Sequence, residues 1–184
     1  MSASADDRAL PADDTEAPEV EVAANEDVLA AGLAQLDQRG RSGADWFFWI
    51  AALSLVNTAI THSGGDRHFI VGMGVTQIVD GIASIIAKEN PEAQTVIVGV
   101  AIAFSVFCSG VAAVVGYLSR NRWQVIFGLG MFVYLLDGLL FVLVQDWMSA
   151  GFHGFALFCM WSGFSAFRQL AAIEQQLVPA EAQG

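Results

Sequence analysis

Residues 95–118 read TVIVGVAIAFSVFCSGVAAVVGYL, 24 positions without a charge. A helix needs roughly 20 apolar residues to cross the hydrocarbon of a bilayer, so this stretch by itself predicts a transmembrane helix. Four further apolar segments surround it, at about 44–61, 68–88, 123–145 and 149–171. The segment 44–61 sits at the short end of the spanning range, and the other three meet it comfortably. Trp46, Trp49, Trp123 and Trp147 fall near segment ends. There an indole buries its ring and keeps its N–H in water. The expectation is an all-α polytopic membrane bundle of four to five transmembrane segments. The connections are short, which predicts that consecutive helices are antiparallel neighbours.

Composition agrees with this class. The chain has 184 residues, is 55% hydrophobic and has a mean hydropathy of +0.53. Its net charge of −11 is uneven. Residues 1–38 carry ten acids against one base, Arg8, which is −9; the other nine acids meet seven bases, which is −2. The acidity therefore belongs to a tail. An acidic tail on a near-neutral body argues against nucleic acid as a partner.

Residues 1–24 are rich in Ala, Asp, Glu and Pro and lack aromatics, which predicts a disordered acidic tail. The tail has neither the basic start nor the apolar centre of a signal peptide. Residues 25–43 read as a short amphipathic helix and linker. Asn25 is its cap, Leu29, Leu33 and Leu36 form its apolar face, and Gly40 is its end. Residues 172–184 form a C-terminal tail.

Arginine placement bears on orientation. If segments two to five all span, Arg67, Arg120, Arg122 and Arg168 share one side and Lys88 takes the other. The positive-inside rule then places the 62–67 and 119–122 loops and the C-terminus in the cytoplasm, in an inner membrane. The N-terminal side stays open. A spanning segment one would put Arg39 and Arg41 outside, whereas a re-entrant segment one would keep every arginine inside.

Two aspartates interrupt the apolar runs, in QIVDGIASII (Gln77–Ile86) and YLLDGLLFVL (Tyr134–Leu143). A carboxylate at the centre of a membrane helix costs about 2.5–3.5 kcal/mol, against about 0.3–0.6 returned by each Leu or Ile. Asp80 and Asp137 should therefore face the bundle interior. FIVGMGVTQIVDG (69–81) resembles VIFGLGMFVYLLDG (125–138), as in a duplicated hairpin with segments two and four running the same way. Both carboxylates would then lie at one level, able to share a proton or hold a cation. Gln77 and Tyr134 stand one turn before Asp80 and Asp137 and are candidate donors to them. His153 is a candidate proton relay toward Asp137, together with Asp146. The competing reading is that these groups only tie helices together.

Other features read blandly. The GxG of each repeat follows no strand and completes no GxGxxG, so it marks close helix packing. Cys108 and Cys159 lie in apolar runs as small hydrophobes. His62 and His68 flank Asp66 without a recognisable metal spacing. No cofactor or metal is implied. SGFSAF is not a GxSxG elbow, and no HExxH, Walker or CxxC motif occurs, so an enzyme is not expected. Gly99/Ala103 and Ala112/Gly116 are small-xxx-small pairs that suit close helix contact, within the bundle or in a homo-oligomer.

The runs WFFWIAALSLVNT, GMGVTQIVDGIA and YLLDGLLFVLVQDWMSAGFHGFALF are similar to an uncharacterised family of small bacterial multipass membrane proteins. That resemblance, over about 44–170, implies an integral membrane fold and carries no activity or site residue. Two functional expectations follow. One is a structural or interaction subunit with the lipid bilayer as its setting. The alternative is a small proton- or cation-linked transport or permeation protein using Asp80 and Asp137.

Overall fold

The computed structural model describes residues 16–63 and 72–177, with side chains from residue 25 onward. Five helices account for nearly all of them: α1 (Glu16–His62), α2 (Gly74–Glu89), α3 (Gln94–Arg120), α4 (Gln124–Leu143) and α5 (Trp147–Leu177). Contacts divide the chain into two compact units, 1–35 and 36–184. In the first unit, the described side chains are exposed except Leu33, which is half-buried. The expected tail at 1–15 lies outside the described residues, while 16–24 are helical in backbone.

Among the described helices, α3, α4 and α1 from Asn25 are long and apolar enough to cross a membrane. At 16 residues α2 is shorter than a span. Polarity in the second unit is reversed relative to a soluble fold. Val100, Phe107, Val125 and Leu143 lie exposed on the outside. Ser54, Asn57, Thr58, Thr76, Asp80, Ser105 and His153 are buried. An apolar exterior around a polar seam is what a bilayer selects.

Gly40 does not end a helix, contrary to the sequence expectation. The reason is packing. A Cβ at Gly43 would lie 2.6 Å from the Gly163 Cα of α5, and one at Gly40 would meet the Phe167 ring. These glycines give α1 and α5 a backbone-to-backbone crossing, so they are kept inside a helix at some cost in propensity.

The α3–α4 and α4–α5 turns are built alike. Arg122 (φ 65°) and Gln145 (φ 60°) take left-handed conformations. Trp123 N–H donates to Leu118 O and Asp146 N–H to Phe141 O, the six-to-one bonds of Schellman motifs. Asp146 then caps α5, accepting from the Ser149 amide (3.2 Å) and hydroxyl (2.6 Å). Those donors hold the Asp146 carboxyl below its usual value, the hydroxyl contributing most.

Helix directions follow from the ion pairs. Asp37 and Asp45 of α1 bind Arg122 (2.8 Å) and Arg120 (2.7 Å) at the α3–α4 turn, and Glu174 of α5 also binds Arg122 (2.8 Å). Partial burial pulls the Arg122 guanidinium down, but its bonds to Glu174 and Asp37 outweigh that and hold it above its ordinary value. One end of the bundle thus gathers Arg39, Arg41, Arg120 and Arg122. From there α1 runs to Thr58 and His62, which meet Asp80 of α2 beside Ser105 of α3. Ser105 is about 22 Å along α3 from Arg120 at the ordinary helical rise. His62 therefore sits far from the 119–122 turn, and the expected pairing of the 62–67 loop with that turn does not hold at its described end.

The start of α2 lies deeper than the end of α1. Ser54, two turns before His62, accepts from the Met73 amide at 2.7 Å. Gly72 packs at φ +147°, where a Cβ would lie 2.8 Å from Asn57 Nδ2. α2 therefore begins beside Ser54 and Asn57, before the level at which α1 ends. Since α2 and α1 both run antiparallel to α3, they run parallel to each other, against the expectation for consecutive helices.

Candidate functional site

The two aspartates do not share a level. Asp137 stands at the first residue of α2, and Asp80 is six residues further along that helix, about 9 Å of axial rise. The expectation that α2 and α4 run the same way holds, but the two half-sites are not equivalent. Asp80 takes its histidine from the preceding helix and Asp137 takes its histidine from the following one.

Asp137 closes the N-terminus of α2. Gly74 N–H donates to Oδ2 (2.7 Å) and Val75 N–H to Oδ1 (2.9 Å). The Met73 side chain makes no capping bond, so the orphan amides of this buried helix start are met by a carboxylate from another helix. Glycine at 74 allows the approach: a Cβ there would lie 2.7 Å from the Phe141 ring and 3.2 Å from the Asp137 carbonyl.

His153 completes this site. Its Nε2 lies 3.1 Å from Asp137 Oδ2 and its Nδ1 lies 2.9 Å from the Ser149 carbonyl. Both the carbonyl and the carboxylate accept, so either ring nitrogen bonds its partner when it carries hydrogen. The 3.1 Å contact lets a proton be held or passed between Nε2 and Oδ2. His153 is 1% exposed, deeper than the interfacial position its place in the sequence suggested.

Tyr134 does not donate to Asp137. Its ring stacks on His153 (centroids 4.4 Å apart, 18° between planes), and its hydroxyl is buried without a partner. The shared face anticipated from spacing exists, but it is used for ring packing. A crevice of about 220 Å³ between α1, α3 and α4 reaches Tyr134 and Asp137, with walls that include Phe47, Phe107 and Val133.

Asp80 is held differently. It is 1% exposed. Thr58 Oγ1 donates to Oδ2 at 2.6 Å, His62 Nε2 lies 3.1 Å from Oδ1, and Ser105 Oγ stands 3.4 Å from each oxygen. Hydrogen bonds to a charged group contribute about 1.5–3 kcal/mol each, enough to offset insertion of the carboxylate. Gln77 does not reach Asp80; its Nε2 is buried without a partner.

Sequence reasoning missed His62, Ser105 and the α2 amides as partners. The i, i+4 spacing of Thr58 and His62 was an available sign. The dependence of α2 on an acceptor from α4 had no local sign. Among the described residues no cluster of three or more His, Cys, Asp or Glu could hold a metal ion. No protein-family model, curated protein or solved structure matches the chain.

Proposed function

We propose that this chain is a proton-linked permeation or transport protein of the inner membrane, with Asp137 and His153 as its proton-carrying pair. The observation that carries this reading is the 3.1 Å contact between His153 Nε2 and Asp137 Oδ2, a carboxylate–imidazole pair set at the N-terminus of α2. Helices that start at mid-depth, with their amides turned toward an anionic group, are a recurring way to build an ion site away from both surfaces. The crevice beside Tyr134 gives Asp137 a route to the bundle exterior. In this reading α1, α3, α4 and α5 cross the bilayer and α2 enters from within. Arg39, Arg41, Arg120, Arg122 and Arg168 then gather at one face, which the positive-inside rule assigns to the cytoplasm.

The test is proton flux in liposomes under an imposed pH gradient. Wild type should carry protons, and Asp137→Asn and His153→Gln should lose at least tenfold at unchanged folded yield in detergent. Wild-type liposomes no leakier than empty ones would overturn the reading.

A second reading, an interaction or structural subunit, is favoured by a different observation. Both carboxylate oxygens of Asp80 and of Asp137 are bound within the chain, as a helix lock requires, and Cβ atoms at Gly99 and Gly110 of α3 would meet nothing within 4 Å. That open face suits close approach of a second copy. Oligomer formation by a wild type without flux supports this reading.

A further inference from the structure

We infer that the crevice beside Tyr134 is a binding site for a small uncharged carbonyl compound that enters from the bilayer. The site stands on the shape and chemistry of the crevice and does not depend on proton flux.

The crevice holds about 220 Å³ between α1, α3 and α4 and reaches the start of α2. Phe47 and Ile50 of α1 form its buried side, at 4% and 1% exposure. Phe107 and Val111 of α3 and Val133 of α4 stand exposed on its outer side. Phe107 is the middle residue of α3, a helix long and apolar enough to cross a membrane. The mouth therefore opens at mid-depth of the hydrocarbon, where molecules arrive from lipid and not from water. A charge is costly at that depth, so the occupant is uncharged. Ligand pockets generally measure about 300–1,000 Å³. This smaller volume suits a molecule of one or two rings, or a short chain, rather than a two-chain lipid.

The second observation is a polar group with nothing to bind. Tyr134 lines the crevice and is 5% exposed, yet its hydroxyl has no partner. The stack on His153 holds the ring, and a phenol oxygen lies on its ring's axis, so the hydroxyl keeps one position. Buried polar groups in native interiors are nearly always hydrogen-bonded. Water is a poor partner here, because a buried water needs roughly two to four polar contacts. Besides Tyr134, the polar side chains of the lining are Cys108, whose thiol is a weak donor, and Asp137. The Asp137 oxygens already accept the Gly74 and Val75 amides and meet His153.

These neighbours select the class of ligand. Tyr134 offers an O–H that lacks an acceptor, so the ligand carries an acceptor oxygen. Asp137 disfavours an anion, and its engaged oxygens leave no acceptor for an amine. An alcohol would bring a donor of its own and strand it among apolar walls. A carbonyl compound brings one strong acceptor, no charge and no donor.

The experiment uses the full chain in detergent, without a gradient, and benzophenone as the probe. Benzophenone is an uncharged two-ring ketone. Its light-excited carbonyl takes hydrogen from a nearby C–H, and the two radicals join. A carbon–carbon bond forms, the carbonyl becomes a hydroxyl, and no atom is lost, so peptide mass spectrometry locates the adduct. Labelling should saturate and concentrate on crevice residues such as Val111 and Val133. Tyr134→Phe should raise the half-saturating concentration at least about fivefold at unchanged folded yield, the scale of one lost hydrogen bond. In wild type, dicyclohexyl ketone should displace the probe at a concentration at least about fivefold lower than dicyclohexylmethane, both counted per mole of detergent. In Tyr134→Phe the two competitors should be equal. Labelling that does not saturate and spreads over the outer helix faces would overturn the site. So would crevice labelling indifferent both to Tyr134→Phe and to the competitor's carbonyl, which would reveal a groove for acyl chains without polar recognition.

Discussion

Asp137 and Gly74 are 63 positions apart, and the carboxylate of one accepts the amide hydrogen of the other at 2.7 Å. The first turn of α2 is therefore completed by α4. Replacing Asp137 with Ala leaves the Gly74 and Val75 amides without their acceptor and the buried His153 ring without its carboxylate. The expected cost is about 3–5 kcal/mol, as for other broken buried pairs. Asn retains an acceptor oxygen and should cost less, roughly 1–3 kcal/mol. Denaturant unfolding in detergent measures both, and equal stability of Ala and Asn variants would contradict the capping role.

Tyr134 contributes its ring and not its hydroxyl. Tyr134→Phe removes a buried group without a partner and should leave stability within about 0.5 kcal/mol or raise it. Tyr134→Leu loses the stack on His153 and should cost about 0.5–1.5 kcal/mol beyond lost burial. A larger loss for Phe than for Leu would show that the hydroxyl is bonded after all.

Gly43 and Gly163 set the α1–α5 crossing. Ala at either position pushes a methyl into backbone and should cost about 1–3 kcal/mol. Gly110→Ala, where a Cβ meets nothing, should be neutral or stabilising by up to about 1 kcal/mol through helix propensity. Thermal unfolding of the three variants side by side decides this.

Asp146 links stability to acid. Its folded pKa is depressed by the Ser149 donors, so its contribution is fully present above the ordinary aspartate value and is lost as pH falls through the folded one. Ser149→Ala should narrow the stability difference between pH 5 and pH 2 and weaken the α5 cap. A pH profile identical to wild type would mean the cap contributes nothing.

Topology is open to labelling. In a background lacking Cys108 and Cys159, a cysteine at Asn121 and one at Ser63 should react from opposite sides of the membrane. Labelling of both from the same side would reject a membrane-crossing α1.

Much of this was legible in the sequence. Helical class and three of the long apolar helices followed from run length and hydropathy, which are local properties. The parallel course of α2 and α4 was visible in the repeated Asp-Gly runs. The level of the aspartates was not, because it depends on where α2 starts. That start is set by Gly72 fitting against Ser54 and Asn57, a tertiary contact with no periodicity to announce it. Gly40 read as a helix end because glycine disfavours helix, and packing against Phe167 overrode that preference. Tyr134 was placed on the face of Asp137 from spacing, but spacing does not tell a donor from a ring that stacks.

The cap on α2 also has a consequence in time. A chain is made from its N-terminus, so α2 is synthesised before the aspartate that satisfies its amides. Until α4 is made, the Gly74 and Val75 amides lack the acceptor they have in the fold. The first turn of α2 is therefore completed only after a later helix has docked.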